Sequence, residues 1–526
     1  MWLGGETLKI DLFGKELEKL NYNTSFKNNN EIYVDVLGEN VVEVVSSLVS
    51  LYKLNFAAEF CLENNGFIIN VLFTSRKYSY YVIIRYKAEN YIVSLQNLLY
   101  QANIFEREIS DLFGLEIAGG KDTRNIVKHE SWDKNVFPLR KAFTYGSKIK
   151  DKNEIEEYKF KGLSGEGGYQ IAVGPVHAGI IEPGHFRFSV IGEQIENLEI
   201  RLMYKHRGIE KTLENVQADK LNLIFERVAG ESSAAYSESY ALLIEKLNNC
   251  NVSKDVKCLR MIFLELERAY NFLEDIAGIC VDIGFSYPAK KLSYFSEIIH
   301  QLCERVTGSR FLRNSIVPLG NNVYFDKLKA SDILDTIDYI SGRLNKIVEI
   351  TINSVSFLDR VEHTGIVRND KAIRLGMTGV VARASGVSYD VRNSFSYELY
   401  NDFKRPVKTE TMGGVFERYK LKIEEVNYAF DFIKKAISLI DGTILKERKD
   451  VELDEGREAI VSVETVKGEL IVYGLTGKNN KFSRIYLKTP SFTNWKGLSY
   501  SILSEIVPDF PLCNKSFNMS YSENDR

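Results

Sequence analysis

A charged, glycine-rich stretch divides this chain into two parts with different residue patterns. Residues 145–168 read YGSKIKDKNEIEEYKFKGLSGEGG and contain few aliphatic side chains. This composition favours a linker over a packed element. The chain of 526 residues is long enough for several domains of roughly 150 residues each. The sequence therefore predicts a first domain at residues 1–145, a linker at 146–169 and a second domain at 170–526.

Before the linker, strand-like and helix-like patterns alternate. Three segments are rich in β-branched and aromatic residues, as strands are: EIYVDVLG (31–38), GFIINVLFTS (66–75) and YSYYVIIRYKA (78–88). The segment ENVVEVVSSLVSLYKL (39–54) has helical spacing instead. These patterns predict a small α/β domain.

After the linker the pattern is mostly helical. Apolar residues recur every three or four positions at Leu259, Ile262, Phe263, Leu266, Tyr270 and Leu273, and again through residues 423–440. Strand-like segments joined by glycines lie on both sides, at residues 186–204, 459–477 and 482–492. The whole chain is therefore expected to be α+β, with a large, mainly helical second domain flanked by β-sheets. The helical stripes predict packing and assign no function.

Composition excludes several classes of protein. Lys and Arg number 68 against 71 Asp and Glu, so no general positive field is available to bind nucleic acid. The six cysteines never occur in CxxC spacing, and we expect reduced, mostly buried thiols. No run of about 18 apolar residues and no signal peptide is recognised, which predicts a cytoplasmic protein. No GxGxxG fingerprint, P-loop or zinc-type spacing occurs.

Two motifs in the first domain resemble a known family. FEREISDLFGLEI (105–117) and FPLRK (137–141) are similar to the signature of the small α/β hydrophilic subunit of respiratory complex I. Six ordered blocks in the second domain resemble the large subunit of membrane-bound, energy-converting [NiFe]-hydrogenases: residues 174–188, 204–211, 264–278, 307–311, 381–392 and 467–474. Fusion of both parts in one chain is typical of the formate hydrogenlyase and hydrogenase-4 large subunits.

The chain departs from this family where nickel would bind. The family has CxxC pairs in two segments that here read ERVAGESS (226–233) and NMSYSENDR (518–526). At the four cysteine positions stand Ala229, Ser232, Ser520 and Glu523. Soft thiolates suit the nickel–iron pair, whereas a methyl group, hydroxyls and a carboxylate do not. We therefore expect the hydrogenase scaffold without metal and without any cofactor in this chain.

The resemblance also implies a set of polar site residues. Glu210 matches the glutamate that hydrogenases use as proton acceptor, and Lys467 stands where they have an arginine. His185 is the counterpart of the quinone-site histidine of complex I, while Gly230 replaces its quinone-binding tyrosine. We hypothesise that the former metal cavity is shared by five residues that handle protons or conformational coupling: Glu210, His185, Lys467, Glu523 and Glu231.

Structural interpretations of the same residues stay open. His185 would be a hydrogen-bonded histidine between domains, and Glu210 would form only a local ion pair with Arg207 or Lys211. Glu231, Ser520 and Glu523 would be solvated residues of a vestigial cavity. His177 and His206 are expected to brace glycine-rich turns. Arg383 and Arg392 are expected to form interior salt bridges or to meet an iron–sulfur partner.

The resemblance implies a large subunit of a complex I-like, hydrogenase-related oxidoreductase that couples electron transfer to ion translocation. Its expected partners are an iron–sulfur small subunit and a ferredoxin-like subunit, both with [4Fe-4S] clusters, together with membrane antiporter-like and quinone-cavity-type subunits. It would lie at the inner face of the cell membrane. The alternative is a non-catalytic scaffold that docks the iron–sulfur subunit, which predicts a collapsed, apolar filling of the cavity. An active hydrogenase with unfamiliar ligands is disfavoured by ligand softness.

Overall fold

The computed structural model describes residues 9–19, 22–149, 157–163, 167–177 and 181–525. The helices are α1 (Ile10–Lys19), α2 (Val41–Ser50), α3 (Ala102–Phe113), α4 (Ile209–Asn215), α5 (Ala218–Phe225), α6 (Ser233–Leu247), α7 (Lys254–Asp282), α8 (Ser286–Thr307), α9 (Lys327–Ile352), α10 (Val355–Val361), α11 (Asn369–Arg374), α12 (Gly379–Ala384), α13 (Val391–Ser394), α14 (Val415–Ser438), α15 (Pro490–Ser501) and α16 (Phe510–Phe517).

The strands are β1 (Asn23–Lys27), β2 (Glu31–Asp35), β3 (Asn55–Glu63), β4 (Phe67–Ser75), β5 (Tyr80–Ala88), β6 (Tyr91–Val93), β7 (Glu116–Ala118), β8 (Gly168–Val173), β9 (His185–Ile191), β10 (Gln194–Arg201), β11 (Ile316–Val317), β12 (Gly320–Asn321), β13 (Glu458–Thr465), β14 (Gly468–Thr476) and β15 (Phe482–Lys488). The α+β expectation is confirmed. The predicted linker and the motif at 174–188 lie partly outside the described residues.

The first part of the chain forms a five-stranded sheet with the order β1-β2-β5-β4-β3. Strands β2 and β5 run parallel, and the other neighbours are antiparallel. Helix α2 buries Val41, Val44, Val45 and Leu48, the positions given by its helical spacing. The predicted strands within 31–88 and the helix between them are thereby confirmed, whereas β3 was not predicted.

The second part is built around the long helix α7, which packs on α8 and α14. Ser253 caps its first turn, because its hydroxyl accepts a hydrogen bond from the Val256 amide at 3.3 Å. Leu259, Ile262, Phe263 and Leu266 are fully buried, which confirms the predicted stripe as a packing face. Two antiparallel three-stranded sheets flank the helices, with the orders β10-β9-β8 and β13-β14-β15.

A seam joins the first sheet to the β13-β14-β15 sheet. Glu458 on β13 accepts hydrogen bonds from Arg85 of β5 and from Lys27 of β1, and its second oxygen accepts one from the Tyr473 hydroxyl at 2.7 Å. The Phe60 ring stacks on Tyr486 with the ring centres 4.5 Å apart. Buried ion pairs and stacked aromatic rings thus hold the two parts together.

An arginine network lies inside the helical part, and we define it as Arg268, Arg383, Arg392, Glu265, Asp390, Glu425 and Glu464. Arg383 Nη1 lies 2.6 Å from Glu425 Oε1, and Arg392 Nη2 lies 2.7 Å from Asp390 Oδ2 and 2.9 Å from Glu425 Oε2. These side chains are almost fully buried. The expected interior salt bridges of Arg383 and Arg392 are confirmed.

Five of the six cysteines are buried and only Cys250 is exposed, which confirms the expectation of buried thiols. Within the described residues, none of the helices combines the length and the apolar character that crossing a lipid bilayer requires.

Candidate functional site

The two segments at the family's nickel-ligand positions lie side by side, joined by Arg207. Its Nη1 donates to the Arg227 carbonyl at 2.7 Å, and its Nη2 donates to the carbonyls of Val228 and Ser522, each at 2.7 Å. The Arg207 amide donates to the Asp525 carbonyl at 2.8 Å. We call this the Arg207 bridge. Its planar, forked guanidinium lets one side chain hold the backbone of both segments.

Three of the four former ligand positions offer no metal donor of the required kind. The Ala229 methyl is fully buried in an apolar cluster with Leu213 and Phe225. The Ser232 hydroxyl is buried without a hydrogen-bond partner among the described residues. The Ser520 hydroxyl lies 3.0 Å from that of Ser522. One methyl group and two hydroxyls thus stand where the family has thiolates.

The fourth position, Glu523, is a fully buried carboxyl with two donors. Its Oε1 accepts a hydrogen bond from the Tyr236 hydroxyl, and its Oε2 accepts one from the Ser491 amide, both at 3.0 Å. Burial, followed by the nearby charge of Glu231, raises the pKa of Glu523 to about 7. This carboxyl therefore exchanges its proton near neutral pH.

Glu231 connects Glu523 to a third acid, Glu267. Glu231 is half-buried on a one-turn 3-10 helix, and its carbonyl accepts from Asn271 Nδ2 at 2.8 Å. Glu267 accepts from the amides of Ala234 and Ala235 at the start of α6, at 2.6 and 3.0 Å. Burial is the main cause that raises the pKa of Glu267 to about 8, and Glu231 adds to it. We call Glu231, Glu267 and Glu523 the carboxyl cluster.

Glu210 forms a buried ion pair of its own. It lies on α4, its Oε2 is 2.8 Å from Arg484 Nη2, and its Oε1 accepts from the Leu487 amide at 3.0 Å. The alternative of a local pair with Arg207 or Lys211 stays open; Arg207 donates to backbone carbonyls, and Lys211 Nζ donates to the Arg140 carbonyl at 2.9 Å.

A narrow pocket links Glu210 to the C-terminal segment. It is lined by Glu210, His206 and Asn524, with Glu108 from α3 on the opposite side. Its enclosed part is large enough for about one water molecule. Asn524 follows Glu523 directly in the chain, so the pocket lies beside the C-terminal segment that carries Glu523.

Lys467 belongs to a separate buried cluster centred on Asp275. Lys467 Nζ lies 3.8 Å from Asp275 Oδ1, and Lys422 Nζ donates to Asp275 Oδ2 at 2.6 Å. Asn518 also donates to Asp275, which ties this cluster to the C-terminal segment. Burial lowers the pKa of Lys422 to about 8, against the opposing effect of Asp275.

His185 begins β9 and has partners different from those of the other candidates. Its Nδ1 lies 3.2 Å from the Gly174 carbonyl, and Arg187 Nε donates to its Nε2 at 3.2 Å. Burial lowers the pKa of His185, so the neutral ring fits these two contacts. The preceding Gly184 packs closely against the Tyr521 ring. The structure thus brings Glu231 and Glu523 close enough to influence each other, while Glu210, Lys467 and His185 each have partners of their own.

Several residues that complete the site were not found from the sequence. Tyr236 and Ser491 contact Glu523, Glu267 completes the carboxyl cluster, and Arg484 pairs with Glu210. Of these residues, only Arg484 has a sequence pattern that indicates a buried ion pair, because a charged residue interrupts the apolar strand FSRIYLK. The others lie in helical or polar patterns that give no sign of their distant partners.

The donor set does not fit a nickel–iron centre. In the described ranges, no three or more His, Cys, Asp or Glu side chains are grouped so as to hold a metal ion. The oxygens of Glu523 already accept hydrogen bonds, and a methyl group and two hydroxyls cannot act as bridging thiolates. The chemistry available to these residues is proton binding.

Comparison with known families gives two matches. Residues 34–148 match the family described as "Respiratory-chain NADH dehydrogenase, 30 Kd subunit". Residues 282–459 and 445–526 match the family described as "Respiratory-chain NADH dehydrogenase, 49 Kd subunit". These matches cover much of both regions that the motifs indicated.

Individual relatives cover most of the chain. Formate hydrogenlyase subunit 5 of Escherichia coli (strain K12) is 28% identical over 427 residues, which are 80% of this chain and 74% of the relative. Hydrogenase-4 component G of the same organism is 28% identical over 431 residues, 80% of this chain and 73% of the relative. The C/D subunit of NADH-quinone oxidoreductase from Phocaeicola vulgatus is 28% identical over 412 residues, 74% of this chain and 78% of the relative.

Proposed function

Since the chain is a complex I-like oxidoreductase subunit that fuses a 30 kDa-type with a 49 kDa-type region and is related to hydrogenase subunits, we propose that it couples electron transfer in partner iron–sulfur subunits to ion translocation. In this proposal the chain has no nickel–iron centre and no cofactor of its own. Its carboxyl cluster takes up and releases protons at the position that the family uses for metal.

The observation that carries the proposal is the environment of Glu523. A fully buried carboxyl with a pKa of about 7 stands at a former ligand position, beside a second acid. A group that handles protons at neutral pH needs a pKa in this range. The scaffold alternative predicts an apolar filling, which fits only the Ala229 methyl, whereas the three other positions are polar.

The relatives are named as subunits, so partner subunits are expected for this chain as well. We propose the four types that the resemblance implies: an iron–sulfur small subunit, a ferredoxin-like subunit, and membrane subunits of antiporter-like and quinone-cavity types. The [4Fe-4S] clusters would lie in the first two. Attachment would be peripheral, at the inner face of the cell membrane through these subunits.

The proposal is tested in the intact purified complex with Glu523→Gln and Glu210→Gln. We expect electron transfer through the partner clusters to an artificial acceptor to persist, while coupled ion translocation in vesicles falls by about 100-fold for Glu523→Gln, the scale of lost acid–base catalysis. Glu297→Gln is the control, because Glu297 is exposed and pairs only locally with Arg310 and Gln301. Full translocation in both the Glu523→Gln and the Glu210→Gln variants would contradict the proposed proton role.

Metal content of the same preparation tests the other half of the proposal. We expect iron from the partner clusters and no stoichiometric nickel, because the donor set lacks thiolates. Stoichiometric nickel that follows this chain through dissociation of the complex would overturn the proposal.

A further inference from the structure

A second group of buried acids includes Glu238 and Glu245 of α6. Three carboxylates surround the guanidinium of Arg260 on α7. Arg260 contacts Glu245 in bidentate fashion, at 2.6 Å from Nη2 and 3.2 Å from Nη1. Its Nη1 also lies 3.2 Å from Glu398 Oε1 and 4.0 Å from Glu238 Oε2. Nη2 is further occupied by the carbonyls of Val317 and Gly320. One cation thus faces three acids.

Within the part of the chain that the structure describes, three carboxylate oxygens in this group lack a donor, and Arg260 Nε, which has no acceptor there, does not supply one. Neither oxygen of Glu238 has a donor among the described residues, and the same holds for Oε2 of Glu398. The side chains of Glu238 and Glu398 are 0% and 1% exposed, so bulk water does not satisfy them. An ionised carboxylate only accepts hydrogen bonds, and a buried acceptor without a donor is costly. Two adjacent ionised carboxylates also repel each other.

We propose that Glu238 and Glu398 share one proton and form a buried proton-binding site distinct from the carboxyl cluster. A protonated carboxyl supplies the missing O–H donor to its neighbour, which satisfies one oxygen on each residue. It also halves the excess negative charge around Arg260. The geometry that supports the pairing is the shared neighbour: Arg260 Nη1 lies 3.2 Å from Glu398 Oε1 and 4.0 Å from Glu238 Oε2, which places the two carboxyls on the same guanidinium nitrogen.

The electrostatic surroundings agree with a proton held at neutral pH. Burial, and then the charge of Glu398, raises the pKa of Glu238 well above its ordinary range, and Arg260 opposes this only in part. The charged groups that face the pair are Arg260 from α7 and Glu245 from α6. The β11–β12 hairpin faces Arg260 with backbone carbonyls. Glu245 adds negative charge and thereby favours the proton.

The segment that carries Glu398 also contacts the arginine network. The Tyr400 hydroxyl donates to Glu265 Oε1 at 2.5 Å, and the Tyr397 hydroxyl accepts from the Glu464 amide at 3.3 Å. The backbone of Glu398 has a φ of 49°. Residues other than glycine adopt this left-handed conformation rarely, and their contacts hold them in it. A displacement of this segment would separate the proton pair and disturb the network together. The site would then release its proton in response to movement.

The experiment compares infrared spectra of the full-length chain with those of Glu238→Gln, Glu398→Gln and the double variant. In the wild type at about pH 7 we expect the C=O band of a protonated carboxylic acid that shifts in heavy water. Each single variant should lose one equivalent of the protonated-carboxyl band. The double variant should lose no more than that, because the two residues share one proton. The exposed Glu297→Gln substitution should leave every band unchanged.

Three results would overturn the inference. If the carboxylic acid band is unchanged in both single variants, both carboxyls are ionised in the wild type. Loss of two equivalents in the double variant means that each carboxyl holds its own proton. A missing band together with stabilisation by added sodium or potassium means that a cation, and not a proton, compensates the acids. Far-ultraviolet circular dichroism establishes folding, and if one single variant fails to fold, the other carries the same comparison against wild type.

Discussion

Glu425 of the arginine network and Glu523 of the carboxyl cluster are both deeply buried, yet their pKa values shift in opposite directions. Burial acts to raise the pKa of Glu425, but Arg383 and Arg392 outweigh it and hold the pKa well below its ordinary range. For Glu523, burial and the neighbouring acid Glu231 act together, and the pKa rises to about 7. The difference is made by the neighbours and not by depth. Glu425 therefore favours its charged form at neutral pH, whereas Glu523 can exchange its proton there.

Glu425 and Glu523 therefore contribute to stability with opposite dependence on pH. A depressed pKa, as for Glu425, contributes stability above the ordinary carboxyl pKa that is lost as the pH falls. A raised pKa, as for Glu523, contributes stability below about pH 4.5 that is lost as the pH rises through about 7. Acid should weaken the arginine network, and mild base should weaken the carboxyl cluster.

The largest effect is expected from Arg392→Met. The substitution leaves Asp390, Glu425 and Glu265 without one of their cations, and a broken buried ion pair costs about 3 to 5 kcal/mol. The free energy of unfolding in urea measures it. Arg305→Met is the matched control, because the Arg305–Asp332 pair is largely exposed and should cost under about 1 kcal/mol. Equal losses in both variants would contradict the assigned burial of the network.

Next in size is Glu523→Gln, which replaces a titrating acid by a neutral amide of the same shape. The variant should unfold with a free energy about 2 to 3 kcal/mol higher than wild type near pH 8.5, and the gain should vanish below about pH 4.5. Urea unfolding across this pH range measures the difference. A gain that is independent of pH would show that Glu523 does not titrate between these values.

A smaller loss is expected from Arg207→Lys, which keeps the charge and removes the forked guanidinium. Lysine cannot reach the carbonyls of Val228, Arg227 and Ser522 together, so about 1 to 2 kcal/mol of hydrogen bonding is lost. Amide hydrogen exchange in residues 518–525 should become faster. Arg227→Lys, at an exposed side chain, is the control. Unchanged exchange in the Arg207 variant would mean that other contacts hold the segment.

The smallest effect is expected from Glu231→Gln. Removing the charge of Glu231, the second cause of the raised pKa, should lower the pKa of Glu523 without returning it to the ordinary carboxyl range, because burial remains the main cause. This shift is measured from the pH at which the free energy of unfolding begins to fall. A pKa that returns to the ordinary carboxyl range would show that repulsion, and not burial, dominates the cluster.

Much of the fold could be predicted because β-branched runs and helical stripes are local signals. Strand β3 was missed because its pattern, NFAAEFCLE, is buried or half-buried at every position and shows no alternation of polar and apolar faces. The former ligand positions could be named because motif order places them. Their partners could not, since Tyr236 is 287 residues away from Glu523 in the chain. Glu210 forms its ion pair with Arg484 because α4 packs against β15, which the sequence pattern does not show.

The contacts at the seam around Glu458 should hold the two parts of the chain together even when the linker between them is cut. Arg85, Lys27 and the Phe60–Tyr486 stack cross it without using residues 146–169. A chain nicked by a protease in that interval should therefore elute as one particle in gel filtration. The same contacts would hold two separately synthesised polypeptides together. Fusion into one chain therefore fixes the ratio of the two parts at one to one and leaves the contacts between them unchanged.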